Sequence, residues 1–382
     1  MKKIIAACAA LAVYKIATAV KAQAWFADTH VDITSKAVAL LEKEGKVKQA
    51  QFFKPYQEEM TKGCKEPDLD DDIDSGAGRH YYSATNPKGK ELPLTGGYYR
   101  NRLGKIAKSA RTSLEENYTS ALCLYKSGKV NEAMHVIARA AHFIEDMCCT
   151  VHTTNNEYDE KATNLHFAFE KNINNVFRSY TADRFDKRLL KTYEGDSFEN
   201  ASNKLAKASS KLLGSISSLD PVAFGQNAAL MLPAAQQNAA ALFLKFYDDC
   251  KADRGNYIAD GRKYQFKNEA SGMILTVRDK LLTLEKPSKD ALQKFTAGIM
   301  YRGAFCFGTD DGGYINDSFK ALDYPGNSAL PAQFRLAALG NKRFRIMTLS
   351  SEYTKAIGLN RSGAAVAADF DPTDRTQVWV LV

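Results

Sequence analysis

Outside its first 24 residues, the 382-residue sequence contains no apolar run that approaches the ~20 residues a membrane-spanning helix needs. An integral membrane protein is therefore excluded for the mature chain. The sequence also has little excess charge, with 52 basic residues against 44 acidic ones and a formal net charge of +8. This excess is compatible with a phosphate-bearing partner but does not by itself indicate nucleic acid. The length excludes a small disulfide scaffold and allows two or three domains.

The first 24 residues have the composition of a secretory signal peptide. A pair of lysines follows the initiating methionine, residues 4–13 are apolar, and residues 22–24 form a small-x-small cleavage site. Two further lysines interrupt the segment, which argues against a membrane anchor. Loss of residues 1–24 removes four lysines and no acid, so the net charge of a mature chain that begins at Trp25 falls to +4. The sequence thus predicts a secreted, extracellular protein.

Cysteine is scarce, with seven residues in the whole chain and six once Cys8 leaves with the signal peptide. An even number of cysteines in an exported chain predicts disulfides, and full pairing requires one bridge between the last third of the chain and the rest. Cys250 with Cys306 is the natural candidate for that bridge. The adjacent residues Cys148 and Cys149 would reach separate partners, remain free thiols or bind metal.

The mature chain divides into two regions with different sequence patterns. Residues 25–250 carry apolar positions at three- and four-residue spacing, which predicts an all-α domain with long loops, notably over residues 61–100. Residues 251–382 contain short runs rich in aromatic and β-branched residues, which predicts an all-β domain. Helices are expected over residues 32–44, 103–127, 131–147, 161–180, 201–217 and 228–248.

The β region contains an internal repeat of 40 residues, marked by Phe266, Cys306 and Ile346, each of which opens a strand-like run. A glutamine stands beside an aromatic residue near the end of each unit: Gln293 with Phe295, Gln333 with Phe334, and Gln377 with Trp379. Three such units resemble a ricin-type β-trefoil, which implies a lectin-like accessory domain that binds glycans. A β-sandwich with a coincidental repeat is the alternative, and a spacer role for the domain stays open.

Histidines and acids recur at helical spacing in the middle of the chain. His142 and Asp146 lie four residues apart on one helix face, and His166 and Glu170 repeat this offset. His152 falls between the two pairs, where the first helix should end. An imidazole and a carboxylate four residues apart can close on one cation inside a helical bundle. One such pair is usually structural, but two pairs with an intervening histidine predict a metal centre.

Together with residues upstream, these pairs make the sequence resemble the bacterial zinc-dependent phospholipases C, a family that includes clostridial alpha-toxin. The upstream matches are Trp25 after the cleavage site, His30, Pro67-Asp68 and His80-Tyr81-Tyr82. The fungal single-strand-specific nucleases share the fold and the metal site of this family. The resemblance implies a trinuclear zinc site whose ligands are Trp25, His30, Asp68, His80, His142, Asp146, His152, His166 and Glu170. The remaining histidine of the mature chain, His135, is interpreted as a packed helix residue.

The resemblance also implies how the ligands divide among three zinc ions. They form three sets: Trp25, His30 and Asp146; Asp68, His80, His142 and the other oxygen of Asp146; and His152, His166 and Glu170. The metals would hold a phosphoryl group and lower the pKa of bound water, with Asp68 as the candidate general base. Tyr81 and Tyr82 are expected at the mouth of the cleft, where they would contact a lipid head group or stack on a base.

The sequence therefore predicts a monomeric phospholipase C that releases diacylglycerol and a phosphorylated head group from phospholipid at a membrane surface. The 12-residue interval from Asp68 to His80 and the presence of Glu170 favour lipid. The five-residue interval from Trp25 to His30 is instead that of the nucleases. One alternative is a single-strand-specific zinc nuclease. The other is a lectin-like binding protein with a degenerate catalytic domain, against which the complete ligand set argues.

Overall fold

A computed structural model of the chain describes residues 27–69, 77–83, 108–153, 160–195, 197–252, 257–324, 331–349, 355–371 and 373–382. Within these ranges the elements up to Lys251 are helical, and those from Lys263 onward are antiparallel strands with short 3-10 turns. The predicted fold class, an all-α domain followed by an all-β domain, is confirmed. None of the described helices combines the length and apolar character needed to cross a membrane.

The described residues form ten helices. They are α1 (Ala27–Lys43), α2 (Val47–Phe53), α3 (Gln57–Lys65), α4 (Ala110–Lys126), α5 (Val130–Cys148), α6 (Glu160–Val176), α7 (Arg188–Thr192), α8 (Glu199–Ser210), α9 (Leu213–Ile216) and α10 (Pro221–Lys251). Helix α5 lies at the centre, where it packs against α3, α4 and α10 and is buried on nearly all sides. Helix α10 starts at Pro221, earlier than predicted, because Asp220 caps it by accepting from the Val222 N–H at 3.0 Å.

Helices α2 and α3 lie where the sequence predicts no helix. Both are short, and α3 buries only a narrow stripe around Met60 and Cys64. Gly63 allows α3 to approach α5 closely, because a Cβ at this position would lie 2.0 Å from the carbonyl oxygen of His135. This approach brings the turn that follows α3 against the buried face of α5, where the histidines and acids of the predicted metal centre lie.

The described residues of the second domain form thirteen strands. They are β1 (Lys263–Tyr264), β2 (Phe266–Asn268), β3 (Ile274–Arg278), β4 (Leu281–Glu285), β5 (Phe295–Ile299), β6 (Phe305–Gly308), β7 (Tyr314–Ile315), β8 (Leu322–Asp323), β9 (Phe334–Gly340), β10 (Arg343–Thr348), β11 (Lys355–Leu359), β12 (Ala365–Asp369) and β13 (Trp379–Leu381). Neighbouring strands run in the order β1-β5-β6-β9-β10-β13-β2. Since β1 and β2 are nearly continuous in sequence, this path returns to its starting segment.

Three hairpins project from this circuit, namely β3 with β4, β7 with β8, and β11 with β12. The 40-residue sequence repeat therefore corresponds to a repeated four-strand unit. Gln293 and Gln377 are buried in equivalent 3-10 turns, where each side chain bonds backbone groups before its strand. Stacked and edge-on aromatic rings, including Phe266, Phe307 and Trp379, fill the interior.

The two domains meet where α4 packs against β9. Ser120 of α4 donates a hydrogen bond to the carbonyl oxygen of Gly303 at 2.7 Å, and Lys129 pairs with Asp260 at 2.7 Å. Arg302, which precedes this glycine, places its Nε 3.6 Å from a carboxylate oxygen of Glu66 in the helical domain. The contact between the domains thus reaches the turn that carries Asp68.

The six cysteines of the described residues are all buried and unpaired, so the predicted bridge between Cys250 and Cys306 is wrong. Cys250 lies near the end of α10, where the Lys126 ammonium group bonds its carbonyl oxygen. The Cys306 sulfur instead faces Gly298 across the pairing of β5 with β6. The two thiols belong to separate parts of the structure, which counting cysteines cannot reveal.

Candidate metal centre

Eight of the nine predicted ligands come together in one buried cluster at the end of α5. Helix α1, the 3-10 turns that end at Asp68, His80 and His152, and helices α5 and α6 supply them. None of these eight residues is more than 7% exposed. The ninth, Trp25, lies outside the described residues.

The first group joins His30 of α1 to His142 and Asp146 of α5. The imidazole rings of His30 and His142 stack with their centroids 3.9 Å apart, and His30 Nε2 lies 3.6 Å from Asp146 Oδ1. One ligand atom from each residue lies within 4.8 Å of the others. The helical offset of four residues places His142 and Asp146 on this face, as their spacing predicts.

The second group joins Asp68 and His80 to His142. His142 Nε2 lies 3.6 Å from Asp68 Oδ1 and 3.1 Å from His80 Nδ1. The second oxygen of Asp146, Oδ2, lies 2.9 Å from His80 Nδ1 and 3.3 Å from His142 Nε2. The two oxygens of Asp146 therefore face different sets of histidines, the arrangement of a carboxylate that can bridge two cations.

The third group lies between the turn at His152 and helix α6. Oε1 of Glu170 is 3.0 Å from His152 Nε2 and 2.7 Å from His166 Nε2. The two imidazole nitrogens are themselves 3.1 Å apart. A fourth potential ligand, the thiol of Cys149, lies within 4.8 Å of ligand atoms of His152 and Glu170.

Hydrogen bonds from outside the cluster fix the orientation of four histidines. His142 Nδ1 donates to the carbonyl oxygen of Cys64 at 2.8 Å, and His152 Nδ1 donates to that of His80 at 3.0 Å. His166 Nδ1 is bonded to the Tyr81 hydroxyl at 2.7 Å, and His30 Nδ1 to Glu145 at 2.6 Å. In each ring the Nε2 atom then faces the cluster, as in histidine ligands of metals.

The donor atoms that face inward fit a group of cations better than a polar core. His30 Nε2, Asp146 Oδ1 and both carboxylate oxygens of Asp68 are buried without a hydrogen-bond partner. Leaving so many buried polar atoms unsatisfied is costly, whereas metal ions would satisfy all of them. Neutral imidazoles and ionised carboxylates are the ligands that Zn²⁺ accepts. The residues present therefore fit zinc.

The electrostatics of the cluster favour these protonation states for His30 and Asp146. Burial, helped by the neighbouring His142, holds the pKa of His30 well below its usual range. Burial alone would raise the pKa of Asp146, but the nearby imidazoles outweigh it and hold that pKa well below the usual range. Burial raises the pKa of Asp68 to about 7 against the opposing effect of His142 and His80. A neutral His30 and an ionised Asp146 thus coexist in the first group. The carboxylates of Asp146 and Asp68, by contrast, outweigh the burial of His142 and raise its pKa to about 9.

Glu145 is a residue of the site that the sequence analysis missed. It is fully buried on α5, its carboxylate bonds His30 and accepts from the Thr34 hydroxyl at 2.9 Å, and burial raises its pKa to about 8. A carboxylate behind a histidine ligand raises the basicity of that ligand and fixes its ring. Its position next to Asp146 was the available signal, but helical spacing alone gives no hint of its contact with His30 of α1.

Glu145→Ala is expected to lower zinc affinity about 10- to 100-fold, because His30 would lose the acceptor that orients it. Glu145→Gln keeps an acceptor and should lose less. Competition of each variant with a zinc chelator measures the effect, and Thr34→Val controls for loss of the neighbouring hydroxyl. Wild-type zinc retention in the alanine variant would contradict this role.

The two tyrosines predicted to contact substrate are both buried. The Tyr81 ring packs against His152 and its hydroxyl holds His166, whereas the Tyr82 hydroxyl donates to Asn203 at 2.8 Å. Substrate contact by either residue stays a prediction. His135, which the sequence leaves out of the ligand set, bonds Glu66 at 2.8 Å on the outer side of α5.

Comparison with known proteins identifies the class to which this fold and site belong. The family described as zinc dependent phospholipase C matches residues 29–218. Alpha toxin from Clostridium absonum is 16% identical, with 92% of this chain and 95% of that chain covered and a TM-score of 0.48. Alpha-toxin from an avian strain of Clostridium perfringens is 12% identical, with 90% and 96% covered and a TM-score of 0.50. No curated protein matches the chain.

Through its helical domain the chain belongs to the zinc-dependent phospholipase C family, as the sequence predicts. It is accordingly a hydrolase of the phospholipase C type with zinc as its cofactor. The identity to the two alpha-toxins is low, so the Clostridium perfringens structure supports the fold, a helical domain followed by a β domain, and nothing finer.

Proposed function

We propose that this protein is a secreted phospholipase C that uses three zinc ions to hydrolyse phospholipids into diacylglycerol and a phosphorylated head group. The observation that carries the proposal is the placement of Asp146, whose two oxygens face separate groups of histidines. A third group, around His152 and Glu170, is joined to the second through the bond from His152 to the His80 carbonyl oxygen. With Trp25 completing the first group, these residues offer ligands for three cations.

Zinc, when bound, would neutralise the phosphoryl oxygens and lower the pKa of a bound water toward ~7. The side chains of the cluster would supply the remaining requirement, a group that accepts a proton from the attacking water. Asp68 lies at the second group with neither carboxylate oxygen hydrogen-bonded, so one oxygen is available to accept the proton of the attacking water. The water oxygen forms the new bond to phosphorus, and the bond from phosphorus to the diacylglycerol oxygen breaks. That oxygen takes up a proton as diacylglycerol leaves.

Phospholipid is the proposed substrate, rather than single-stranded nucleic acid. Membership of the family supports it, as does the toxin-like interval between Asp68 and His80. The net charge of +4 without the first 24 residues is modest for an enzyme that binds a polyanion. The signal-like N-terminus supports secretion of a mature chain that begins at residue 25. We expect this chain to act as a monomer on a membrane surface.

For the second domain we propose a β-trefoil that binds glycans on that surface. Its closed path of strands, its three hairpins and the paired positions of Gln293 and Gln377 support this fold. Residues 251–382 would then serve as an accessory domain behind a catalytic domain of residues 25–250. Glycan binding is tested on a glycan array with the full-length protein and with the same protein after zinc removal.

The substrate is tested by parallel assays of zinc-loaded protein on liposomes and on nucleic acid. Liposomes of phosphatidylcholine, phosphatidylethanolamine or sphingomyelin should release diacylglycerol or ceramide, and single-stranded DNA and RNA should release no nucleotide. Chelator should abolish lipid hydrolysis and added zinc should restore it. Nucleotide release without a lipid product would assign the protein to the nuclease branch, and no hydrolysis of either would favour a binding protein.

A further inference from the structure

The thiol of Cys149 lies in the third ligand group although the nine-residue pattern does not include it. The residue is fully buried, and its sulfur lies within 4.8 Å of ligand atoms of both His152 and Glu170. His166 Nε2 adds a fourth donor atom, 2.7 Å from the same carboxylate oxygen of Glu170. The Cys149 sulfur and the His166 imidazole thus each lie near His152 and Glu170, the two residues they have in common.

The backbone holds Cys149 and His152 in a fixed relation. Cys149 directly follows the last residue of α5, its N–H is bonded to the Asp146 carbonyl oxygen at 2.8 Å, and its own carbonyl oxygen accepts from the His152 N–H at 3.1 Å. The intervening Thr150 is anchored to helix α8 by a 2.7 Å hydrogen bond from its hydroxyl to the Ser209 carbonyl oxygen. The backbone of Cys149 therefore cannot move away from that of His152 without breaking this turn.

The neighbouring Cys148 provides an internal comparison. It is also buried and unpaired, but it is the last residue of α5 and its sulfur belongs to none of the ligand groups among the described residues. Cys148 and Cys149 are thus buried to a similar extent, but only the Cys149 sulfur is grouped with ligand atoms of His152 and Glu170.

We propose that Cys149 is a thiolate ligand of the zinc held by His152, His166 and Glu170. This inference rests on the proposed function, which places a zinc ion in the third group. Thiolate and imidazole are the commonest zinc ligands in proteins, and zinc binding would release the thiol proton to solvent. Four protein ligands complete the coordination of a structural zinc site, whereas catalytic sites keep a position open.

With four protein ligands, the third group would have a structural role that differs from the role of the other two groups. The third group would stabilise the junction of α5, the His152 turn and α6, and would leave substrate contact to the two groups that share Asp146. The resemblance to the phospholipase C family instead implies three protein ligands and an open position for this zinc. The sulfur ligand separates these two possibilities.

X-ray absorption at the zinc edge on mature, zinc-loaded protein tests the proposal, because Zn–S distances of about 2.3 Å differ from Zn–N and Zn–O distances of about 2.0–2.2 Å. We expect sulfur in the first shell of about one zinc in three for the wild type and for Cys148→Ser. Cys149→Ser should lack sulfur and should release one zinc to chelator at least about 10-fold faster.

Zinc without a sulfur neighbour in the wild type overturns the thiolate ligand and leaves the proposed function intact. A sulfur signal that persists in Cys149→Ser, or disappears in Cys148→Ser, overturns the assignment to Cys149. Protein that binds no zinc overturns both proposals. If Cys149→Ser does not fold, the spectrum of the wild type still decides whether a thiolate is present.

Discussion

Asp146→Asn is expected to lower lipid hydrolysis on the order of 10³-fold, because one substitution disturbs two ligand groups at once. The two oxygens of Asp146 face His30 on one side and His80 with His142 on the other. An amide nitrogen cannot ligate zinc, so at least one group would lose its shared ligand. Zinc content, measured by plasma spectrometry on protein prepared without chelator or polyhistidine tag, should fall from about three ions per chain to about one.

Glu170→Gln is the matched comparison, since Glu170 is also a buried carboxylate four residues after a histidine but faces the third group alone. This variant should retain about two zinc ions per chain. Thermal unfolding of both variants in the presence of zinc checks that each is folded. Equal zinc losses would argue against a bridging carboxylate, and one zinc or none in the wild type would rule out a trinuclear site.

Extending the mature protein by one residue ahead of Trp25 is expected to abolish most of its activity. An α-amino group exists on Trp25 only after the preceding peptide bond is cut, so the added residue would remove a ligand and crowd the first group. Zinc content should fall from about three ions to about two. Activity, intact mass and zinc content of the two forms give the answer.

The matched control for this extension carries the same residue after Val382, which lies at the end of the β domain and is half exposed. It should keep full activity and zinc. If the N-terminally extended form behaves like this control, Trp25 is not a ligand and the first group is completed in another way.

Sequence spacing was sufficient to predict the part of the site that lies on helices. The four-residue offsets within α5 and α6 place each histidine beside its carboxylate because helix geometry is regular. The resemblance to a known family supplied His30, Asp68 and His80, which no periodicity connects to α5. The succession of a helical domain and a β domain also follows from apolar spacing, and it is confirmed over the described residues.

The missed features all depend on contacts between distant segments. Glu145 reaches His30 across 115 residues, and Tyr81 reaches His166 across 85. Helix α3 is short and mostly polar on its outer side, so its sequence resembles a loop until Gly63 is seen against α5. The cysteines show the same limit, since their count suggested pairing but none of the six in the described residues is paired.

The Glu66 carboxylate has a consequence for how this two-domain architecture can vary among related enzymes. Glu66 bonds His135 and Arg139 of α5 at 2.8 Å each, opens the turn that ends at Asp68, and faces Arg302 of the β domain. A different module joined after residue 250 would leave this carboxylate with one cation fewer, two residues before the predicted metal ligand Asp68. We therefore expect that an accessory domain without a cation at this position would change the charge around the turn that carries Asp68, although the helical domain would still supply His135 and Arg139 to Glu66.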